Sequence, residues 1–122
     1  MYGRSGKLNT KNVDLSFFVG ATLTQICLGE NDLGLNFDLP FIRVMMQSDF
    51  AIRALGQEAM RHDLALGHLL RSFLNREVSG TAWAELGTLV LTFVGGDQML
   101  VFDDSDQFES YTINHAEQII VV

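Results

Sequence analysis

Little in this sequence can cross-link, stiffen or span. Cys27 is the only cysteine among 122 residues, so no internal disulfide can form and a reducing, cytoplasmic setting is expected. Its own expected role is that of a small buried hydrophobe in a strand. Pro40 is the only proline and marks a break between two strands, because it cannot donate to a ladder. No apolar run approaches the ~20 residues of a membrane span, and no basic segment followed by an apolar core opens the chain, so neither membrane insertion nor a signal peptide is expected. Positive charge runs out early. All eight Lys and Arg lie in residues 1–76, against seven acids, whereas residues 77–122 hold eight acids and no Lys or Arg. The net charge of −7 repels nucleic acid and attracts a basic partner. A second reading of the same charge is an acidic face kept for solubility.

What is present suits one compact domain spanning residues 1–122, with residues 1–12, polar and rich in Gly, Ser, Asn and Lys, as a loose terminus. The apolar share of 48% is high enough to argue against disorder. A domain of this size buries roughly two-thirds of its unfolded surface, enough for a core without metals. The chain is organised around a helix predicted over residues 54–75. There Leu55, Ala59, His62, Leu66, Leu69 and Phe73 recur at steps of four and three, widened by Leu70 and Leu74. Gly56 and Gly67 each cost it about 1 kcal/mol relative to Ala, so packing must hold it.

Strand patterns flank the helix and resemble each other. Shifted by 56 residues, Leu33, Leu35 and Phe37 fall on Leu89, Leu91 and Phe93, and Val44 and Met46 fall on Leu100 and Phe102. Each set alternates with the two-residue period of a strand. Gly95-Gly96 between alternating runs predicts a hairpin with positive φ at one of the pair. The run 119–122 is apolar on both faces, as a strand covered on both sides would be. The expectation is an α+β domain: a largely antiparallel sheet of about six to eight strands packed on one main helix, with a duplicated hairpin motif.

Motifs for chemistry are sparse. Asp103, Asp104 and Asp106 fail the spacing of a calcium loop, since Phe108 and Glu109 stand where a ligand and a glycine are required. His62 lies in the helix stripe one turn after Glu58, His68 points the other way and His115 falls in a loop, so no paired zinc face forms. No Gly-rich phosphate loop or nucleophile elbow occurs; Asp97 after Gly95-Gly96 would repel phosphate. No catalytic residue, metal or cofactor is therefore assigned. The feature that stands out is the cation-free stretch holding Asp97, Asp103, Asp104, Asp106 and Glu109 with Tyr111. Carboxylates pair with arginine and tyrosine favours interfaces, so these six are the candidate docking residues for a basic protein; a solvated loop beside a core tyrosine is the plainer alternative.

Leu89, Leu91 and Phe93, the Gly95-Gly96 hairpin, and then Phe108-Glu109-Ser110-Tyr111 before a final strand resemble a family of small uncharacterised bacterial domains. The likeness covers residues 22–122. Such domains share a strand-rich first half, a middle helix and a terminal region of this pattern. In type they are similar to immunity proteins of bacterial toxin systems, which bind and neutralise a cognate toxin, often a basic nuclease. The resemblance implies a non-catalytic cytoplasmic inhibitor with an acidic C-terminal docking surface and no nucleic-acid or membrane partner. The alternatives are a ligand- or peptide-binding module of a regulatory or defence system, and an enzyme whose site is assembled only in the fold.

Overall fold

A computed structural model describes residues 13–29, 32–60, 63–84, 87–103 and 110–122. Among these residues the plan is ten strands in two antiparallel sheets, with one short helix that follows the fifth strand in the chain. After a 3₁₀ turn, Ser16–Phe18, come β1 (Thr22–Leu28), β2 (Leu33–Asp38), β3 (Ile42–Met46), β4 (Phe50–Ala54) and β5 (Gln57–Met60). The helix α1 (Leu66–Arg71) precedes β6 (Val78–Ala84), β7 (Thr88–Phe93), β8 (Gln98–Val101), β9 (Tyr111–His115) and β10 (Gln118–Val121). One sheet runs β1-β2-β3-β9-β10 and the other β5-β4-β8-β7-β6. Each half of the chain thus builds a three-strand meander and passes its last hairpin to the other half's sheet.

The two halves repeat in detail. Thr24 bulges out of β1, between Leu23 and Gln25, and its hydroxyl donates to the Asn36 carbonyl. Ser79 bulges out of β6, between Val78 and Gly80, and its hydroxyl donates to the Thr92 carbonyl. A bulge leaves a residue out of the ladder, and here its side chain restores the bond. Leu35 opposite Val44 is matched by Leu91 opposite Met99, and Leu33 opposite Met46 by Leu89 opposite Val101. The hairpins β4–β5 and β9–β10 both turn in two residues, with left-handed Leu55 (φ 56) and Ala116 (φ 55) in equivalent places. At the start of β1 and β6 the two sheets are joined: Leu23 N–H donates to the Arg76 carbonyl, Asn75 N–H to Leu23, Val78 N–H to Ala21 and Gly20 N–H to Val78.

One apolar core takes the inner faces of both sheets. Phe18 meets Phe37 edge-on at 5.5 Å and Phe73 meets Phe93 edge-on at 4.9 Å, in the geometry that ring quadrupoles favour. Phe73, Leu66, Leu69 and Leu70 are buried as the stripe requires.

Several sequence expectations are corrected. The helix over residues 54–75 shrinks to Leu66–Arg71; its first part is the β4–β5 hairpin, turning at Leu55-Gly56, where Gly56 has φ 74. Leu55 is exposed and Ala59 is buried within β5. His62 lies outside the described residues. The strands form two five-stranded sheets rather than one sheet on a helix. Val44 and Met46 match Met99 and Val101, not Leu100 and Phe102, because Leu91 pairs with the residue eight positions on whereas Leu35 pairs with the residue nine positions on, and a one-residue slip changes the face. Cys27 is exposed: the bulge at Thr24 turns Ile26 inward and Cys27 outward. His115 ends β9, where its ring stacks on Phe17 at 4.0 Å. The apolar end of the chain is not covered on both sides, since Ile119 and Val121 are exposed. The Gly95-Gly96 hairpin is as expected, with φ of 104 and 100.

Candidate functional site

Three of the six candidate docking residues are described. Asp97 follows the β7–β8 turn, and its carboxylate takes the Arg76 guanidinium at 2.7 Å, with both side chains about three-quarters buried. Arg76 also donates to the Val94 carbonyl and lies 5.5 Å above the Phe73 ring. Gly95 serves this arrangement twice: it takes φ 104, and a Cβ there would come within 2.9 Å of the guanidinium. The last cation of the chain is thereby enclosed by the hairpin and bonded to the first acid of the candidate stretch.

Asp103 and Tyr111 are buried rather than offered to solvent. The Ser110 hydroxyl donates to the Asp103 carboxylate at 2.8 Å. The Tyr111 hydroxyl donates to the Gly87 carbonyl at 2.6 Å. Gly87 has φ 76, and a Cβ on it would meet the Asp103 carboxylate at 3.1 Å, so glycine is needed for both conformation and room. Ser110 is also a backbone junction. Its carbonyl accepts from the N–H groups of Gln47 and Ser48, and its N–H donates to the Val122 carbonyl. Burial, followed by the charge of Asp103, pushes the Tyr111 phenol far above its ordinary range, so it serves as a neutral donor and not as a base.

Asp104, Asp106 and Glu109 lie outside the described residues. The described residues on either side, Asp103 and Ser110, are bonded to each other. Charge and residue type gave Asp97, Asp103 and Tyr111 a surface role, whereas their partners Arg76, Ser110 and Gly87 lie 21, 7 and 24 residues away and are set by the fold. Beside this cluster a cavity of about 120 Å³ is lined by Asp32, Met45, Gln47, Ser110 and Thr112. Elsewhere an open cleft runs along Arg53, Glu58, Asp97 and Gln98, and another along Asp14, Ser16, Thr81 and Trp83. Among the described residues no three His, Cys, Asp or Glu side chains are grouped to hold a metal, and no helix is long and apolar enough to cross a membrane.

Compared with family models, with curated proteins and with solved structures, the chain matches none.

Proposed function

We propose that the protein is a non-catalytic bacterial immunity or inhibitor protein, acting in the cytoplasm, that neutralises a basic toxin through the acidic surface of its C-terminal part. The observation that carries the reading is the disposition of charge. Residues 77–122 hold eight acids and no Lys or Arg, and the cation that precedes them, Arg76, is taken up by Asp97 and Val94. The Arg76–Asp97 pair is neutral, which leaves seven acids in residues 77–122 and no further Lys or Arg among them. Asp104, Asp106 and Glu109 are the contacting carboxylates, since Asp97, Asp103 and Tyr111 are engaged by Arg76, Ser110 and Gly87. A basic nuclease suits such a surface, because the groups it uses for phosphates would accept carboxylates bidentately. The exposed free thiol of Cys27 suits a reducing compartment.

Capture at low salt tests the reading. The full chain as bait should retain a basic protein that a variant carrying Asp104→Asn, Asp106→Asn and Glu109→Gln does not. Retention of the same proteins by both baits would remove the acidic surface from the account.

A further inference from the structure

The two halves of the molecule each end a sheet with a free strand, and the two strands are finished differently. β5 is the outer strand of one sheet and β10 the outer strand of the other. Both are the second strand of a hairpin that turns in two residues, so Glu58 and Met60 on β5 stand where Ile119 and Val121 stand on β10. On β5 the edge is closed. The outward N–H of Met60 donates to the Asp63 carboxylate at 2.8 Å, and its carbonyl accepts from the Asp63 N–H at 3.0 Å. Glu58 adds a charge, 3.7 Å from Arg53. Charges and capped backbone groups are how sheet edges avoid further pairing.

On β10 neither device is present among the described residues. Tyr111 and Val122 exchange backbone bonds at 3.3 and 2.9 Å, and the ladder alternates from there to the turn. The backbone groups of Ile119 and Val121 therefore point away from β9. Their side chains are 68% and 39% exposed, and Gln118–Val121 carries no charge.

We propose that β10 is a dimerisation strand, pairing antiparallel with β10 of a second copy across a two-fold axis at Ile120. The strand is its own complement in that register. Ile119 faces Val121 of the second copy and Val121 faces Ile119, and these are the residues with outward backbone groups, so both pairs can exchange their N–H···O bonds. Their exposed β-branched side chains lie on one face of the sheet and meet across the axis. Glu117 falls outside the paired stretch, so no like charges stand opposite each other. The two five-stranded sheets become one. The contact is short, well below the area of a permanent interface, so dimerisation depends on concentration. It is also strengthened by salt, because each chain carries −7 and the copies repel. That sign is opposite to the one expected for a basic partner, so the two interactions are distinguishable.

The experiment is sedimentation of the full chain over a range of concentration and salt, with amide hydrogen exchange read at residues 118–122. Wild type should shift toward twice the chain mass as concentration and salt rise, and the Ile119 and Val121 amides should become protected in step. Ile119→Glu, which places on β10 the residue type that β5 carries, should remain a single chain. Leu64→Glu makes the same charge change at a fully exposed position away from β10 and should dimerise as wild type does. The proposal is overturned by a single-chain mass at every concentration and salt, by a dimer whose Ile119 and Val121 amides stay unprotected, or by Ile119→Glu dimerising like wild type.

Discussion

The Tyr111 hydroxyl donates to the Gly87 carbonyl at 2.6 Å, which ties the first residue of β9 to the turn that opens β7. The bond joins a residue of one sheet to the approach of the other. Tyr111→Phe leaves a buried carbonyl without its donor and should cost about 1–3 kcal/mol in denaturant unfolding. An unchanged midpoint would show that the bond contributes nothing net.

The same residue gives a pH dependence. Burial and the Asp103 charge raise the folded-state pKa of Tyr111 above the value of an unfolded tyrosine. The contribution is then fully present below about pH 10, the ordinary phenol range, and is lost as pH rises beyond it. Unfolding measured from neutral to alkaline pH should show this loss in wild type and not in Tyr111→Phe. Phenolate absorbance assigned to Tyr111, as the difference between the two proteins, should appear only with unfolding. Its appearance near pH 10 in the folded protein would contradict the burial argument.

Arg76 and Asp97 make a second tie, at 2.7 Å and largely out of solvent. Removing Asp97 as Asp97→Ala leaves a largely buried guanidinium with the Val94 carbonyl and the Phe73 ring as its described partners, and should cost about 1.5–3 kcal/mol. A double-mutant cycle with Arg76→Met should return a coupling of the same order. Independent, additive effects would mean that the pair is a surface bridge of little consequence.

Phe73 is fully buried and packs edge-on against Phe93 at 4.9 Å. Phe73→Ala should cost about 3–5 kcal/mol, a large share of a small domain's stability. A denaturant midpoint equal to that of wild type would be incompatible with the core described above.

How much of this was legible in the sequence depends on how local the cause is. Leu33, Leu35 and Phe37, and Leu89, Leu91 and Phe93, alternate in the sequence and are all buried in β2 and β7, because strand period is a local signal. Gly95 and Gly96 announced their turn for the same reason. The β4–β5 hairpin was hidden. Its turn begins with a leucine at φ 56, a conformation that leucine rarely adopts. Leu55, Ala59, Leu66, Leu69 and Phe73 also share a helical spacing that only α1 and the residues just after it use. Cys27 was misplaced by a bulge, and a bulge is fixed by the partner strand. The passing of each terminal hairpin to the opposite sheet has no sequence signature at all. In the candidate site, charge was legible and burial was not, so Asp97 and Asp103 were read as free carboxylates when Asp97 pairs with Arg76 and Asp103 accepts from Ser110.

The central claim is that the acidic C-terminal surface meets a basic protein, and the association rate tests it most directly. The measurement uses the protein recovered by low-salt capture, across a salt series, with wild type beside the variant carrying Asp104→Asn, Asp106→Asn and Glu109→Gln. Steering by opposite charge acts before contact, so wild-type association should slow as the Debye length falls below about 8 Å. The variant should associate more slowly at low salt and with a shallower salt slope, while its stability stays within about 0.5 kcal/mol of wild type. Equal rates and equal salt slopes for the two proteins would contradict the claim and leave solubility as the role of those charges.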